Sequence, residues 1–407
     1  MKWGNMLTFI KGLLGMRTIK SPSDNERVSE GWKSDIEFLK LELAKRHKNL
    51  FYSLDEQVYF KSMDLIKASA TAKSREKLIV ELMACVARVN DGHTKVLVNH
   101  TAQYPFEFYY FEEGIFVTKA TEQYVDLVGM KLTHINTVAV DEVLEIIQPL
   151  VSCDNEQQLK SGVVKYLVVP EILKGTSIIF EDRASFSFES NEGNTVSKLV
   201  YPIDKTQIQL ASSYVMQLPF GRQHLQRCYW STYFTDKNTL YFQYNACRND
   251  PNKTFREFNR ELFELIDQNQ VDQLIIDLRF NGGGNSMILS PFLKALKKRP
   301  KLKSNVIVLI GRSTFSSALL NAIKLKKKFN VTLVGEPTGG KPNHFGELMF
   351  IQLTNLGIEV MYSTQYYKNY SQEMAALFPQ IKVPERAEDY FKGFDRALSE
   401  MLKMVAE

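Results

Sequence analysis

The stretch Gly311-Arg312-Ser313-Thr314-Phe315-Ser316-Ser317 sets four hydroxyls between an apolar strand, Val306 to Ile310, and an amphipathic helix. Ala318, Leu319, Ala322, Ile323 and Leu325 supply that helix's apolar face. A serine at such a junction stands on a rigid platform. The free N–H groups and positive end of the helix could there stabilise an oxyanion. The same hydroxyls would also suit the plainer task of capping the helix. Attack by a serine needs a base to take its proton, whereas capping needs none.

Two glycine turns lie close in sequence. Asp277-Leu278-Arg279-Phe280-Asn281-Gly282-Gly283-Gly284 ends a buried-strand pattern in three glycines, where backbone N–H groups can approach a ligand closely. Such a turn at the C-terminal end of an α/β strand is where these folds place sites. Gly335-Glu336-Pro337-Thr338-Gly339-Gly340-Lys341 fits the spacing of a phosphate-binding loop, with His344 beside it. Pro342 follows, however, where that loop needs Ser or Thr for magnesium, and proline has no N–H to give. Nucleotide binding is therefore not expected.

The elements that must position these residues follow from pattern. Helices are expected from the capping-box spacings Ser34/Glu37 and Ser53/Glu56 and from about Ser74, with Leu78, Leu82 and Val86 on one face. The last ends at Asn90-Asp91-Gly92, followed by His93-Thr94 and a short strand, Val96 to Val98. From about residue 104 short strands dominate: Phe106 to Phe111, Gly114 to Lys119, Gly129 to Ile135, Ser177 to Glu181 and Ser185 to Glu189, with a helix at Val140 to Leu150. Beyond about residue 210 the pattern is α/β. It has strands at Leu240 to Asn245 and Asp272 to Arg279, and helices at Thr254 to Gln268 and Ser286 to Lys298. A hairpin turns at Asn355-Leu356-Gly357, and a closing helix runs from Glu388 to Met404.

Bulk properties narrow the function classes. A chain of 407 residues, 44% hydrophobic and 24% charged, fits a soluble globular protein of two or three domains. The net charge of +5 is small, and the runs Lys297-Lys298-Arg299 and Lys324 to Lys328 fall late in helices, so no nucleic-acid partner is expected. Cys85, Cys153, Cys228 and Cys247 form no CxxC pair, and Cys85 falls on an apolar helix face. His47, His100, His134 and His224 lack metal-ligand spacing, so neither metal nor cofactor is expected. Lys11 breaks the apolar N-terminal run MKWGNMLTFIKGLLGM, which is expected to touch a membrane surface or a partner at most. A cytoplasmic location without stable membrane insertion is the corresponding expectation.

Four stretches together resemble the tail-specific, or C-terminal-processing, serine peptidase family, in its branch related to tricorn core proteases and retinoid-binding repeats. They are Asp91-Gly92-His93-Thr94, Leu274 to Ser286, Ser313 to Ala318 and Gly335 to Gly346, in the family's order. The resemblance implies an α/β fold with a crotonase/ClpP-like catalytic domain, a PDZ-like β-rich module and an N-terminal helical domain. The corresponding divisions are residues 1–98, 99–210 and 211–407. It also implies a polypeptide substrate, with Ser316 as nucleophile and an oxyanion hole from N–H groups of Ser317, Gly283 and Gly284. Lys341, 25 residues after Ser316, matches the base of the family's dyad branch. His93 matches the histidine of the other branch and titrates closer to neutrality. Glu373 stands near where that branch places its acid. Leu319 replaces a glutamate common in the dyad branch, which favours His93. A catalytically inactive, peptide-binding relative of the same fold is the alternative.

Overall fold

The computed structural model describes residues 24–211, 217–329 and 331–403. The apolar N-terminal segment, and Met404 at the end of the expected closing helix, lie outside them. Among the described residues no helix is long and apolar enough to cross a membrane.

The C-terminal half is built on a six-stranded sheet, which makes the chain mixed α/β. Its order is Tyr229–Phe234, Thr239–Tyr244, Gln273–Asp277, Val306–Ile310, Thr332–Gly335 and Ile381–Lys382, parallel except for the first pair. Side chains alternate across a strand, and both faces here are apolar. Leu274, Ile276, Val308 and Ile310 enter one core, while Ile275, Ile307 and Leu309 enter another. Helices Phe255–Gln268, Ser290–Lys297 and Ser317–Phe329 supply the first core, and Ala397, Leu398 and Met401 of helix Arg396–Lys403 the second. Strands covered on both faces read as unbroken apolar runs. Helix Phe255–Gln268 starts at a capping box, Thr254 with Glu257, and buries Phe255, Phe258, Leu262, Phe263 and Ile266 at helical spacing. Each such side chain contributes about 1.5–3 kcal/mol on burial.

The preceding module is an antiparallel sheet ordered Phe106–Phe111, Gly114–Ala120, Lys131–Ile135, Ala184–Glu189 and Thr195–Val200. The expected strand at Ser177 to Glu181 is instead a turn. Ser177 has φ 62°, and the N–H groups of Ile178 and Ile179 fold back onto Leu173 O. Helix Glu156–Tyr166, not anticipated, packs on strand Phe106–Phe111, and the equally unanticipated Pro170–Gly175 packs on the helix Arg75–Ala87.

Three helices open the described chain: Asp24–Arg46, Glu56–Ala68 and Arg75–Ala87. The first runs straight through Ser34, and the second is capped by Asp55 rather than Ser53; the third is capped by Ser74 as expected. They pack on a small sheet ordered Lys95–Leu97, Ile358–Tyr367, His344–Leu353. Its long hairpin leaves the parallel sheet and joins the N-terminal helices. Asp35 accepts the Leu356 N–H and Asn355 Nδ2, each at 2.8 Å, and the Lys48 N–H donates to Ser363 O at 2.9 Å. The expected closing helix is two, Ala387–Phe391 and Arg396–Lys403, broken at Gly393 with φ 69°. The break sets Asp395 against Arg279 at 2.8 Å, and Asp277 pairs with the same buried guanidinium at 2.6 Å.

Candidate active site

A tight loop carries the chain from the end of strand Val306–Ile310 to Ser316, at the start of helix Ser317–Phe329. Thr314 pins that loop: its Oγ1 donates to Leu278 O at 2.8 Å and accepts the Gly311 N–H at 3.0 Å. The Phe315 N–H donates to Asn281 O at 3.1 Å. Ser316 then takes φ 52°. A non-glycine residue adopts the left-handed region only when its surroundings impose it, at about 1–2 kcal/mol. A helix-capping residue has an extended backbone instead, so Ser316 is not simply a cap.

The first glycine turn presses against this elbow. A Cβ on Gly283, whose φ is 112°, would lie 2.8 Å from Ser316 Cβ and 3.1 Å from Ser317 N. Ser317 Oγ donates to Gly284 O at 2.6 Å, which ties up the neighbouring hydroxyl. The N–H groups of Ser317 and Gly284 meet no acceptor among the described residues. The Gly283 N–H differs, since it donates to Asn281 Oδ1 at 2.9 Å.

His93 arrives from the far end of the sequence. Its buried ring stacks on Phe315 at 4.3 Å between centroids, against the residue next to Ser316. No hydrogen bond joins Ser316 Oγ to His93 or Lys341 among the described residues. Such bonds are often long in unliganded enzymes and tighten with substrate. His344 lies behind His93 at 6.0 Å between rings, and its Nδ1 donates to Lys341 O at 3.0 Å. Burial, followed by the charge of His93, lowers its pKa to about 4, so His344 is neutral at pH 7.

Beneath His93 sits Asp91, which sequence reasoning did not single out as functional. Its Oδ2 accepts Thr94 Oγ1 at 2.5 Å, Ser363 Oγ at 2.6 Å and His47 Nε2 at 3.2 Å. Its Oδ1 accepts the His93 N–H at 2.9 Å and lies 3.7 Å from His93 Nδ1. Burial raises its pKa, but the hydrogen bond from His47, the nearby imidazole of His93 and the hydrogen bond from Ser363 outweigh burial and hold it below the usual carboxylate range. The only sequence signal was the Asp-x-His-Thr spacing, which suits a side chain bonding the backbone two residues on.

Lys341 and Glu373 line a neighbouring cavity, together with Tyr52, Asn90, Asp154 and His344. Asp154, likewise missed, accepts the Gly92 N–H at 2.8 Å and the Lys341 N–H at 3.2 Å, so it ties the histidine turn to the second glycine turn. Burial, then repulsion from Asp91, raises its pKa. Glu373 Oε1 takes three donors: Asn343 Nδ2 at 3.0 Å, Tyr366 OH at 3.1 Å and Tyr52 OH at 3.4 Å. It has no direct hydrogen bond or ion pair with His93.

No protein-family model and no curated protein matches the sequence. Solved structures do match. Mature CPAF complexed with lactacystin superposes with a TM-score of 0.70 over 93% of this chain and 99% of that one, at 15% identity. A mutant of CPAF with a serine replaced by alanine gives 0.68 over 93% and 98%, at 14% identity. The photosystem II D1 C-terminal processing protease aligns over 93% and 99% at 14% identity, with a looser TM-score of 0.41. The chain has the fold of the tail-specific serine peptidases. In this tail-specific peptidase fold, Ser316 and both glycine turns sit past the C-terminal ends of adjacent parallel strands, the usual crevice of an open α/β sheet. His93 and Asp91 approach that crevice from the N-terminal half, carried by the small sheet that contains Ser363.

Proposed function

We propose that the protein is a serine endopeptidase that cleaves polypeptides. One observation carries the reading: Ser316 is held left-handed at a helix start, with Gly283 packed on its Cβ and His93 stacked on Phe315. On this reading Ser316 Oγ attacks the scissile carbonyl carbon and passes its proton to His93. The oxyanion is received by the N–H groups of Ser317 and Gly284. Gly283, expected as a third donor, contributes space, because its N–H is already bonded to Asn281. Losing one such donor costs about a hundredfold or more in turnover. His93 then protonates the leaving amine, and water drawn through the same imidazole releases the acyl group.

His93 is preferred over Lys341 as base for a structural reason. Lys341 lines the neighbouring cavity with Glu373, whereas the His93 ring stacks on Phe315, the residue next to Ser316. Glu373, fixed by three donors, would act on this cavity's occupant. The antiparallel module would be the PDZ-like element, receiving an extended peptide by strand addition. The parallel-sheet half would be the crotonase-like catalytic domain, with the divisions 1–98, 99–210 and 211–407 as a working outline.

A second reading, a peptide-binding protein without turnover, draws on two observations. The Gly283 N–H is already bonded, and Ser316 Oγ has no hydrogen bond to a base. A fluorophosphonate distinguishes the two. Labelling that disappears in Ser316→Ala and persists in Ser317→Ala is the expected result, together with cleavage of an unfolded protein substrate. No labelling of the wild-type chain would remove the peptidase reading.

A further inference from the structure

We infer that Asp91 is the positioning carboxylate for His93 and stabilises its imidazolium during turnover, an inference that rests on the peptidase reading. The starting point is an unsatisfied atom. His93 Nδ1 is buried and has no hydrogen-bond partner, although buried polar nitrogens nearly always have one. The nearest carboxylate oxygen is Asp91 Oδ1, at 3.7 Å. A small rotation of the imidazole would bring the two into hydrogen-bond range.

The carboxylate is itself immobilised from three separate parts of the fold. Thr94 holds Oδ2 from the histidine turn, Ser363 from the hairpin and His47 from the end of the first helix. The Asn49 N–H donates to His47 Nδ1 at 3.1 Å, so His47 is a neutral donor through Nε2. With Oδ2 occupied, Oδ1 is left for the His93 backbone N–H and for Nδ1. This fixes the tautomer: the neutral imidazole carries its proton on Nδ1 and presents Nε2 to Ser316. When Nε2 takes the serine proton, the positive charge forms against a fixed negative one. Asp91 gains no proton in the step.

The other charged or titratable groups around His93 do not replace this role. His344 is neutral and spends its Nδ1–H on Lys341 O, Lys341 lines the neighbouring cavity, and Asp154 bonds the Gly92 and Lys341 N–H groups. Glu373 Oε1 is occupied by Asn343, Tyr366 and Tyr52.

The experiment is steady-state peptide hydrolysis with a pH profile for wild type, Asp91→Asn, Ser363→Ala and Glu373→Gln. In Asp91→Asn, kcat should fall about a hundredfold or more with KM nearly unchanged. The acidic limb of kcat/KM should move down by about one unit or more, since losing a nearby anion makes the imidazole less basic. Ser363→Ala, which perturbs folding less, should move both quantities the same way by a smaller amount. A kcat near wild type with an unmoved limb, a lower kcat with an unmoved limb, or a limb that moves in Glu373→Gln instead would each overturn the assignment. A second readout needs no turnover: imidazole nitrogen NMR of Ser316→Ala, with and without Asp91→Asn. A neutral His93 protonated on Nδ1, whose pKa drops with Asp91→Asn, is expected; a proton on Nε2 or an unchanged titration refutes the inference. Should wild type label with no fluorophosphonate, the peptidase reading fails, and the NMR result still decides the coupling.

Discussion

Adding a single methyl group at Gly283 should separate the nucleophile's geometry from its chemistry. In Gly283→Ala the new Cβ would stand 2.8 Å from Ser316 Cβ, where ordinary contact begins at 3.4 Å, so the elbow must shift by roughly 0.6 Å. Misplacement of a reacting group by about 1 Å can cost ~10²-fold in rate. On a logarithmic scale the shift then predicts a loss of about tenfold or somewhat more. The backbone adds its own penalty, since φ 112° suits only glycine and costs an alanine about 1–3 kcal/mol. Gly282 provides the matched comparison: a Cβ there would meet nothing within 4 Å, and its φ is not in the left-handed range. The assay is the second-order rate of fluorophosphonate labelling, read beside the melting temperature. Gly283→Ala should label about tenfold slower and melt several degrees lower, while Gly282→Ala should track wild type. Wild-type labelling by Gly283→Ala, or an equal loss in Gly282→Ala, would show that Ser316 is not gripped by this turn.

Two further outcomes follow from the buried charges. Asp395→Ala leaves the buried Arg279 guanidinium with Asp277 alone and frees the Gly221 N–H; denaturant unfolding should lose about 3 kcal/mol, and a change below about 1 kcal/mol would refute the pairing. His344 has a folded pKa of about 4 against an ordinary 6.5, so between these values the unfolded chain holds a proton the folded chain refuses. Stability should therefore fall as pH drops from about 6.5, by about 3 kcal/mol once below about 4, and parallel melting curves for wild type and His344→Gln would contradict this.

The parallel strands were legible because burial on both faces writes itself as a run: QLIID and VIVLI needed no partner to be recognised. The junction at Ser316 was legible for the same reason, as a polar knot between two apolar elements. Helix starts were less so. Ser34 with Glu37 has the spacing of a capping box, yet the helix passes through it, because Ile36, Leu39 and Leu43 continue a face begun earlier in the chain. Asp91 was hidden for a different reason. Its meaning lies in donors at positions 47 and 363, and nothing local announces a bond across 272 residues. Glu373 shows the converse: a position implied only by the family resemblance is hydrogen-bonded to Asn343, Tyr366 and Tyr52.

The small sheet that joins Lys95–Leu97 to the hairpin 344–367 has a consequence for the chain during its synthesis. A ribosome that has just released Lys341 has delivered the hydroxyl, the glycine turns and the imidazole, but not Ser363 or the strand that lies beside Lys95. Translation at roughly 5–20 residues per second leaves an interval of seconds in which the parts of the proposed site exist without the strand that clamps Asp91 through Ser363.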